Sequence, residues 1–145
     1  MAKQYRFGSG TRLVNWVFRV MTRLGLGAKF RHILSVRGRK TGRLYTVPVD
    51  VVEVAGHRWL VAPYGPVNWV HNARASGEVT LSRGSRSEKF KVEEAAAPEA
   101  VPVLRKYLAE VPVTRPYFDA GPDSPDEAVA AEVPRHPVFR LVPQR

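Results

Sequence analysis

The chain has 145 residues, 44% of them hydrophobic and 10% aromatic, with a formal net charge of +10. This composition is typical of one globular domain and excludes a disordered chain. The absence of cysteine excludes disulfides, thiolate metal sites and a cysteine nucleophile. The four histidines, His32, His57, His71 and His136, show no metal-ligand spacing, so no metal centre is predicted.

The positive charge is concentrated at the beginning of the chain, because every acidic residue lies after Val49. That end is expected to meet a polyanion: a phosphate-bearing cofactor with an acidic tail, an anionic membrane surface or nucleic acid. Helix-turn-helix, zinc-finger and RNP-type signatures are absent from the sequence, so no nucleic-acid partner is predicted. Neither a membrane span nor an export signal is recognised, and the expected location is the cytoplasm, with a peripheral position at the inner membrane face as a variant.

Residues 1–30 are predicted to form a loose arm and a basic amphipathic helix over Thr11–Leu24, ending at Gly25 or Gly27. Helical spacing places three cations on one face, opposite the apolar residues: Arg12, Arg19 and Arg23. Two roles remain open for this helix. Its apolar face covers one end of the domain, or it lies on an anionic membrane surface.

Residues 31–145 are predicted to form one β-rich domain. Its strands are expected at His32–Val36, Leu44–Val54, His57–Ala62, Gly77–Ser82, Glu88–Glu94 and Pro137–Val142. Pro48 cannot donate a hydrogen bond within a sheet, so its strand is predicted to have an edge or a bulge there.

Two helices are predicted between these strands. The first covers Trp69 to about Ala75 with Asn68 as its cap, and the second runs to about Glu110 with an early break at Pro102. The loop from Val111 to Asp126 is rich in proline and aromatic residues, which is typical of a lid or pocket wall. A short helical turn is expected over residues 126–133.

A glycine-bounded turn, Gly38-Arg39-Lys40-Thr41-Gly42, follows the first strand. Glycine lets backbone N–H groups approach an anion, while Arg39 and Lys40 supply charge and Thr41 a further donor. The spacing is not that of a Walker loop, and no helix follows. The same residues also fit an ordinary solvated hairpin turn, so both interpretations remain open.

The segment Tyr64–Asn72 leads into the first predicted helix. Trp69 and Asn72 are three residues apart and share a helical face. Such a pair is expected to pin a loop or line a pocket, unless Trp69 anchors the core. His71 points elsewhere and is interpreted as a solvated histidine.

Taken together, the Gly38–Val49 stretch, the Tyr64–Asn72 segment and the strand Glu78–Leu81 resemble the deazaflavin-dependent nitroreductase family. The resemblance spans roughly residues 32–95, with a weaker echo over residues 135–143. It implies an α+β, mainly β, single-domain split β-barrel of about six antiparallel strands. An N-terminal amphipathic helix, a short helix after the third strand and one further helix accompany the barrel.

The same resemblance implies a function. Family members bind coenzyme F420, a deazaflavin with an anionic phospholactyl-polyglutamate tail, and transfer a hydride to quinones, nitro compounds or similar electrophiles. FMN is the alternative cofactor. The implied partner is a small-molecule electron acceptor, and the chain is expected to be a monomer or a homodimer.

Carried over by position, the family's cofactor contacts fall on four groups of residues. They are Arg39, Lys40 and Thr41 at the tail; Val47, Pro48 and Val49 beside the ring; Ala62, Pro63, Tyr64 and Gly65 over the ring; and the family's tryptophan and asparagine at Trp69 and Asn72. Tyr45 stands where many relatives have arginine, and Arg43 is the candidate substitute.

The acceptor is expected to stack on the open face of the ring, where water must be excluded. The aromatic residues predicted to line this pocket are Tyr107, Tyr117 and Phe118. Tyr117 is predicted to be catalytic, as the hydrogen-bond donor to the oxygen of the reduced acceptor.

Protein-borne catalysis has little support, because the sequence contains no G-x-S-x-G, P-loop or recognisable carboxylate pair. A bound cofactor that brings its own chemistry is therefore the leading hypothesis. Where the best-known relatives have a serine-lysine pair and a longer loop before the tryptophan, this chain has the short segment Tyr64-Gly65-Pro66. This departure and the one at Tyr45 also leave open a cofactor-less barrel that binds lipids or fatty acids. A third hypothesis is a peripheral membrane protein that acts through the Thr11–Leu24 helix.

Overall fold

Six strands form a closed antiparallel barrel in the computed structural model, which describes residues 31–144. The strands are β1 (Arg31–Arg37), β2 (Leu44–Val54), β3 (His57–Val61), β4 (Glu78–Arg83), β5 (Arg86–Glu94) and β6 (Val138–Pro143). Their order around the barrel is β1-β2-β3-β6-β5-β4. The predicted six-stranded barrel is confirmed, whereas the predicted N-terminal helix and the boundary at residue 30 lie outside the described residues.

The described residues also form three α-helices and one 3-10 helix. They are α1 (Asn68–Ser76), α2 (Ala97–Glu110), the 3-10 helix Pro112–Tyr117 and α3 (Asp126–Ala130). The single further helix expected after α1 is therefore α2, and the predicted loop after it contains the 3-10 helix. None of the helices within residues 31–144 has the length and apolar character needed to cross a membrane.

Two local predictions about the helices are wrong. α2 continues through Pro102 without a break. Proline has no N–H, so the helix lacks one hydrogen bond there, at an exposed position. The opposite face, with Leu104 and Tyr107, is fully buried. Burial of that face outweighs the local cost of proline. Asn68 is the first residue of α1, and Val67 occupies the cap position without a side-chain hydrogen bond.

Alternation along β2 divides the core into two clusters. Val49 and Val51 point into the barrel and join the cluster that fills it. Val52 points outward and joins a second cluster, which includes Trp59 of β3 and Leu104 of α2. The second cluster therefore lies between the outer face of the barrel and α2.

β2 changes its partner along its length. Residues 44–50 pair with β1, whereas residues 51–54 pair with β3. Among the described strands, only β1 pairs with the first half of β2, and Pro48 lies in that half opposite Ile33. The register is continuous there, so Pro48 occupies an edge without a bulge.

Candidate functional site

The Gly38–Gly42 turn is held by its own hydrogen bonds. The Gly38 N–H donates to the Arg43 carbonyl at 2.7 Å, and the Gly42 N–H donates to the Gly38 carbonyl at 3.0 Å. The Arg43 N–H donates to Thr41 Oγ1 at 3.2 Å. Gly42 has a φ of +73°, in the left-handed region that favours glycine. Thr41 therefore shapes the turn and keeps a hydroxyl hydrogen to donate.

The Tyr45 ring covers Gly38. A Cβ atom at Gly38 would stand 2.5 Å from Tyr45 Cε2, a distance that side chains do not tolerate. The Tyr45 hydroxyl lies 3.5 Å from Thr41 Oγ1. At the position where the resemblance implies arginine, this chain therefore packs an aromatic ring on the backbone of the turn.

Asn72 fastens the turn to α1. Its side chain is 4% exposed, and its Oδ1 accepts the backbone N–H of Arg39 at 3.0 Å and Nη1 of Arg39 at 2.7 Å. Trp69 lies on the same inward face and packs in the barrel core, with its ring centroid 6.0 Å from that of Phe139. Of the roles left open for this pair, Asn72 pins a loop and Trp69 anchors the core. Direct cofactor contacts of either residue stay predictions.

The cations at this turn divide into two kinds. Arg39 is held by Asn72, and Arg37 donates through Nη1 to the Gly42 carbonyl at 3.1 Å. Lys40 and Arg43 are exposed and form no ion pair with other described residues. With four cations and no carboxylate over residues 37–45, the turn has the donors that a multiply charged anionic tail requires.

The pairing of β2 with β3 does not continue past Val51 and Leu60 toward this turn. A continued pairing would place Ala62 opposite Val49. The Ala62 N–H donates to the Pro137 carbonyl at 2.9 Å, which continues the pairing of β3 with β6. The chain then turns at Gly65, whose φ is +89°. A gap in the strand pairing therefore lies between the two segments that the resemblance assigned to the ring, residues 47–49 and residues 62–65, although Val49 and Ala62 belong to the same core cluster.

Tyr64 and Tyr117 connect that loop to the 3-10 helix. Their rings make a T-shaped contact with centroids 5.0 Å apart. Tyr64 is 39% exposed, and Tyr117 is half-buried. The proline-rich loop therefore packs against the Tyr64 segment.

The other two predicted acceptor residues lie deeper. Phe118 is buried and stacks on His136 with centroids 3.9 Å apart. Tyr107 is 1% exposed and lies in the second core, where burial raises the pKa of its hydroxyl well above the usual value. An acceptor contact at Tyr107, as predicted from the sequence, would require the covering loop to move.

A buried ion pair near Tyr107 was not predicted. Asp50 accepts hydrogen bonds from Nε of Arg31 at 2.7 Å and from Nη2 at 3.2 Å. The Asp50 side chain is 8% exposed and that of Arg31 18%. The available signal was an acidic residue placed among valines in the middle of β2.

A second unpredicted group lies behind Phe118. Glu132 is completely buried and accepts the N–H groups of Asp119 and Ala120. His136 is also buried, which lowers its pKa against the opposing effects of the Ala62 carbonyl and the Glu132 carboxylate. Nothing in the local sequence pattern distinguished these two residues. Over residues 31–144 there is no group of three potential metal ligands.

Comparison with known proteins identifies the family. The family model described as F420H(2)-dependent quinone reductase matches residues 11–118, well over half of the chain. No curated protein matches the chain.

Several solved structures are similar. An F420-H2 dependent reductase, FDR-A, is 19% identical with a TM-score of 0.55, covering 78% of this chain and 94% of that one. A FAD-binding protein from Mesorhizobium loti is 16% identical with a TM-score of 0.52, covering 88% and 89%. A conserved hypothetical protein from Mycobacterium tuberculosis is 16% identical with a TM-score of 0.54, covering 99% and 87%. At these identities the likeness shows the shared barrel fold.

The family match includes the basic turn, the gap beside β2 and the Tyr64–Tyr117 contact. The chain therefore belongs to the F420H(2)-dependent quinone reductase family, and it is an oxidoreductase whose cofactor is coenzyme F420.

Proposed function

We propose that this protein transfers a hydride from reduced F420 to a small planar electrophile, such as a quinone or a nitro compound. The observation that carries the proposal is the gap in strand pairing between residues 47–49 and residues 62–65. The basic turn continues directly into the β2 side of this gap, and the Tyr64–Tyr117 contact lies on its other side.

The residues around the gap fit a deazaflavin. Lys40 and Arg43 can donate charge-assisted hydrogen bonds to an anionic tail. Arg37 and Arg39, which are hydrogen-bonded within the site, add to the positive charge. The apolar side chains of Val47 and Pro48, both only half-buried, suit the face of a planar ring. When bound, the cofactor supplies the hydride, and the chain supplies binding, orientation and exclusion of water.

Tyr117 is the proposed acceptor contact. Its ring is held against Tyr64 at the edge of the gap, and Phe118 and His136 pack behind it. A phenolic O–H is a donor, so it can stabilise the negative charge that develops on the acceptor oxygen during reduction.

Titration with F420, followed by tryptophan fluorescence, is expected to show saturable binding with a Kd below about 100 μM, or a binding free energy beyond about −5.5 kcal/mol. Lys40→Ala should weaken binding by more than about 1 kcal/mol, because a charge-assisted contact is lost. Added salt should also weaken binding. Lys91→Ala, at an exposed lysine of β5, is the control and should bind normally. Absence of saturable binding would contradict the proposal.

Tyr117→Phe is expected to lower turnover about tenfold, which corresponds to about 1.4 kcal/mol for one hydrogen bond lost in the transition state. The ring remains, so its contact with Tyr64 and the F420 affinity should be retained. Steady-state kinetics with a soluble quinone, together with the fluorescence titration, separate these quantities. If the variant loses cofactor binding instead, the acceptor enters elsewhere.

A further inference from the structure

Glu132 fixes the backbone immediately after Tyr117 and Phe118. Its Oε2 accepts the N–H of Asp119 at 2.6 Å and the N–H of Ala120 at 2.8 Å. Its Oε1 accepts a hydrogen bond from the guanidinium of Arg135. A fully buried carboxylate is costly unless it is paired and hydrogen-bonded, and here both oxygens have partners. The carboxylate therefore holds the backbone of residues 119 and 120, just after the end of the 3-10 helix.

His136 connects the same region to the end of β3. Its ring stacks on Phe118 with centroids 3.9 Å apart and an interplanar angle of 26°. Its Nδ1 lies 3.2 Å from the Ala62 carbonyl, and because a carbonyl only accepts, Nδ1 carries the hydrogen in this pair. His136 thus holds Phe118 against the point where the 62–65 loop begins.

The loop itself runs along the same segment. The Ala62 N–H donates to the Pro137 carbonyl at 2.9 Å. A Cβ atom at Gly65 would lie 3.4 Å from the Arg135 carbonyl, which shows how closely the loop follows residues 132–137. Both walls of the proposed acceptor site, the loop with Tyr64 and the 3-10 helix with Tyr117, are therefore attached to one short segment.

We propose that Glu132 and His136 are positioning residues that hold Tyr117 at a fixed place relative to the loop over the cofactor. Both side chains are buried, so they act through Tyr117 and the loop rather than by touching the acceptor. The inference rests on the proposed function, since it takes Tyr117 as the acceptor contact. An apolar core would stabilise this region equally well, but a buried carboxylate with fixed hydrogen bonds also defines one geometry.

The test compares Glu132→Gln with Glu127→Gln, which changes an exposed carboxylate of α3. With a soluble quinone as probe, Glu132→Gln is expected to raise the acceptor KM about tenfold while the F420 Kd stays within about twofold. Amide hydrogen exchange should become faster at residues 119–120 and at residues 64–65, and remain unchanged at residues 38–42. Glu127→Gln should behave as the wild type in every measurement.

His136→Phe provides a second variant that keeps a ring against Phe118 but removes the bond to the Ala62 carbonyl. Like Glu132→Gln, it should raise the acceptor KM and make amide hydrogen exchange faster. If Glu132→Gln fails to fold, His136→Phe alone tests the inference. Faster exchange at residues 119–120 alone, or an equal loss of cofactor and acceptor binding, would overturn the inference. Failure of the wild type to reduce any quinone or nitro probe counts against the proposed function instead, and the exchange comparison still tests the positioning role.

Discussion

Asp50→Ala is expected to destabilise the protein by about 3 kcal/mol, because it removes one partner of a buried ion pair. The carboxylate accepts two hydrogen bonds from Arg31, whose side chain is 18% exposed. Without Asp50, the largely buried guanidinium loses two hydrogen bonds and the negative charge of that carboxylate. Urea unfolding should show a lower midpoint with an unchanged m-value.

Glu88→Ala is the matched control, since Glu88 pairs with Arg58 at 2.9 Å but is 49% exposed. Solvent screens such a pair, so its loss should cost less than about 1 kcal/mol. If both substitutions lower the free energy of unfolding equally, burial does not make the Arg31–Asp50 pair more stabilising than an exposed one.

Asn72→Ala is expected to weaken F420 binding at least about tenfold and to destabilise the fold by about 2 kcal/mol. Its Oδ1 accepts two hydrogen bonds from Arg39, so alanine detaches the turn from α1 and leaves the Arg39 backbone N–H without its acceptor. Fluorescence titration and urea unfolding measure the two effects separately.

Asn72→Asp distinguishes attachment of the turn from its charge. The carboxylate can still accept both hydrogen bonds from Arg39, so stability should be close to that of the wild type. Its negative charge offsets one cation of the turn, so F420 affinity should fall, most clearly at low salt. If Asn72→Ala binds F420 as tightly as the wild type, the turn is not the tail site.

The strands could be predicted from the sequence because their signals are local. β2 was predicted with both ends correct, since a glycine-bounded turn precedes it and a tight turn at Gly56 follows it. The edge at Pro48 followed from the missing N–H of proline. The predicted break at Pro102 is wrong because burial of one face of α2 outweighs the local cost of proline. The predicted cap is wrong because α1 begins at Asn68 itself.

The site was predictable in its parts but not in its connections. The glycine-bounded basic turn could be found by motif, whereas Asn72 holding Arg39 depends on a contact between residues 33 positions apart. The cofactor contacts implied by the resemblance stay predictions. Glu132 meets its backbone donors 13 and 12 positions away, and no periodicity specifies such a pairing. The burial of Tyr107 was missed for a related reason. The sequence of a helix does not show how deeply an aromatic residue is buried unless the element that packs on that face is also known.

The strand order has a consequence for how the protein folds. β6, the last described strand, lies between β3 and β5 and pairs with both. While β6 is undocked, β3 and β5 each present an unpaired edge, and such edges promote association between chains. Closing the barrel pairs residues that are far apart in sequence, such as Leu60 and Phe139. This last pairing therefore has a larger entropic cost of loop closure than the local hairpins. Chains released before residues 138–143 are made should therefore aggregate, whatever the state of their cofactor site.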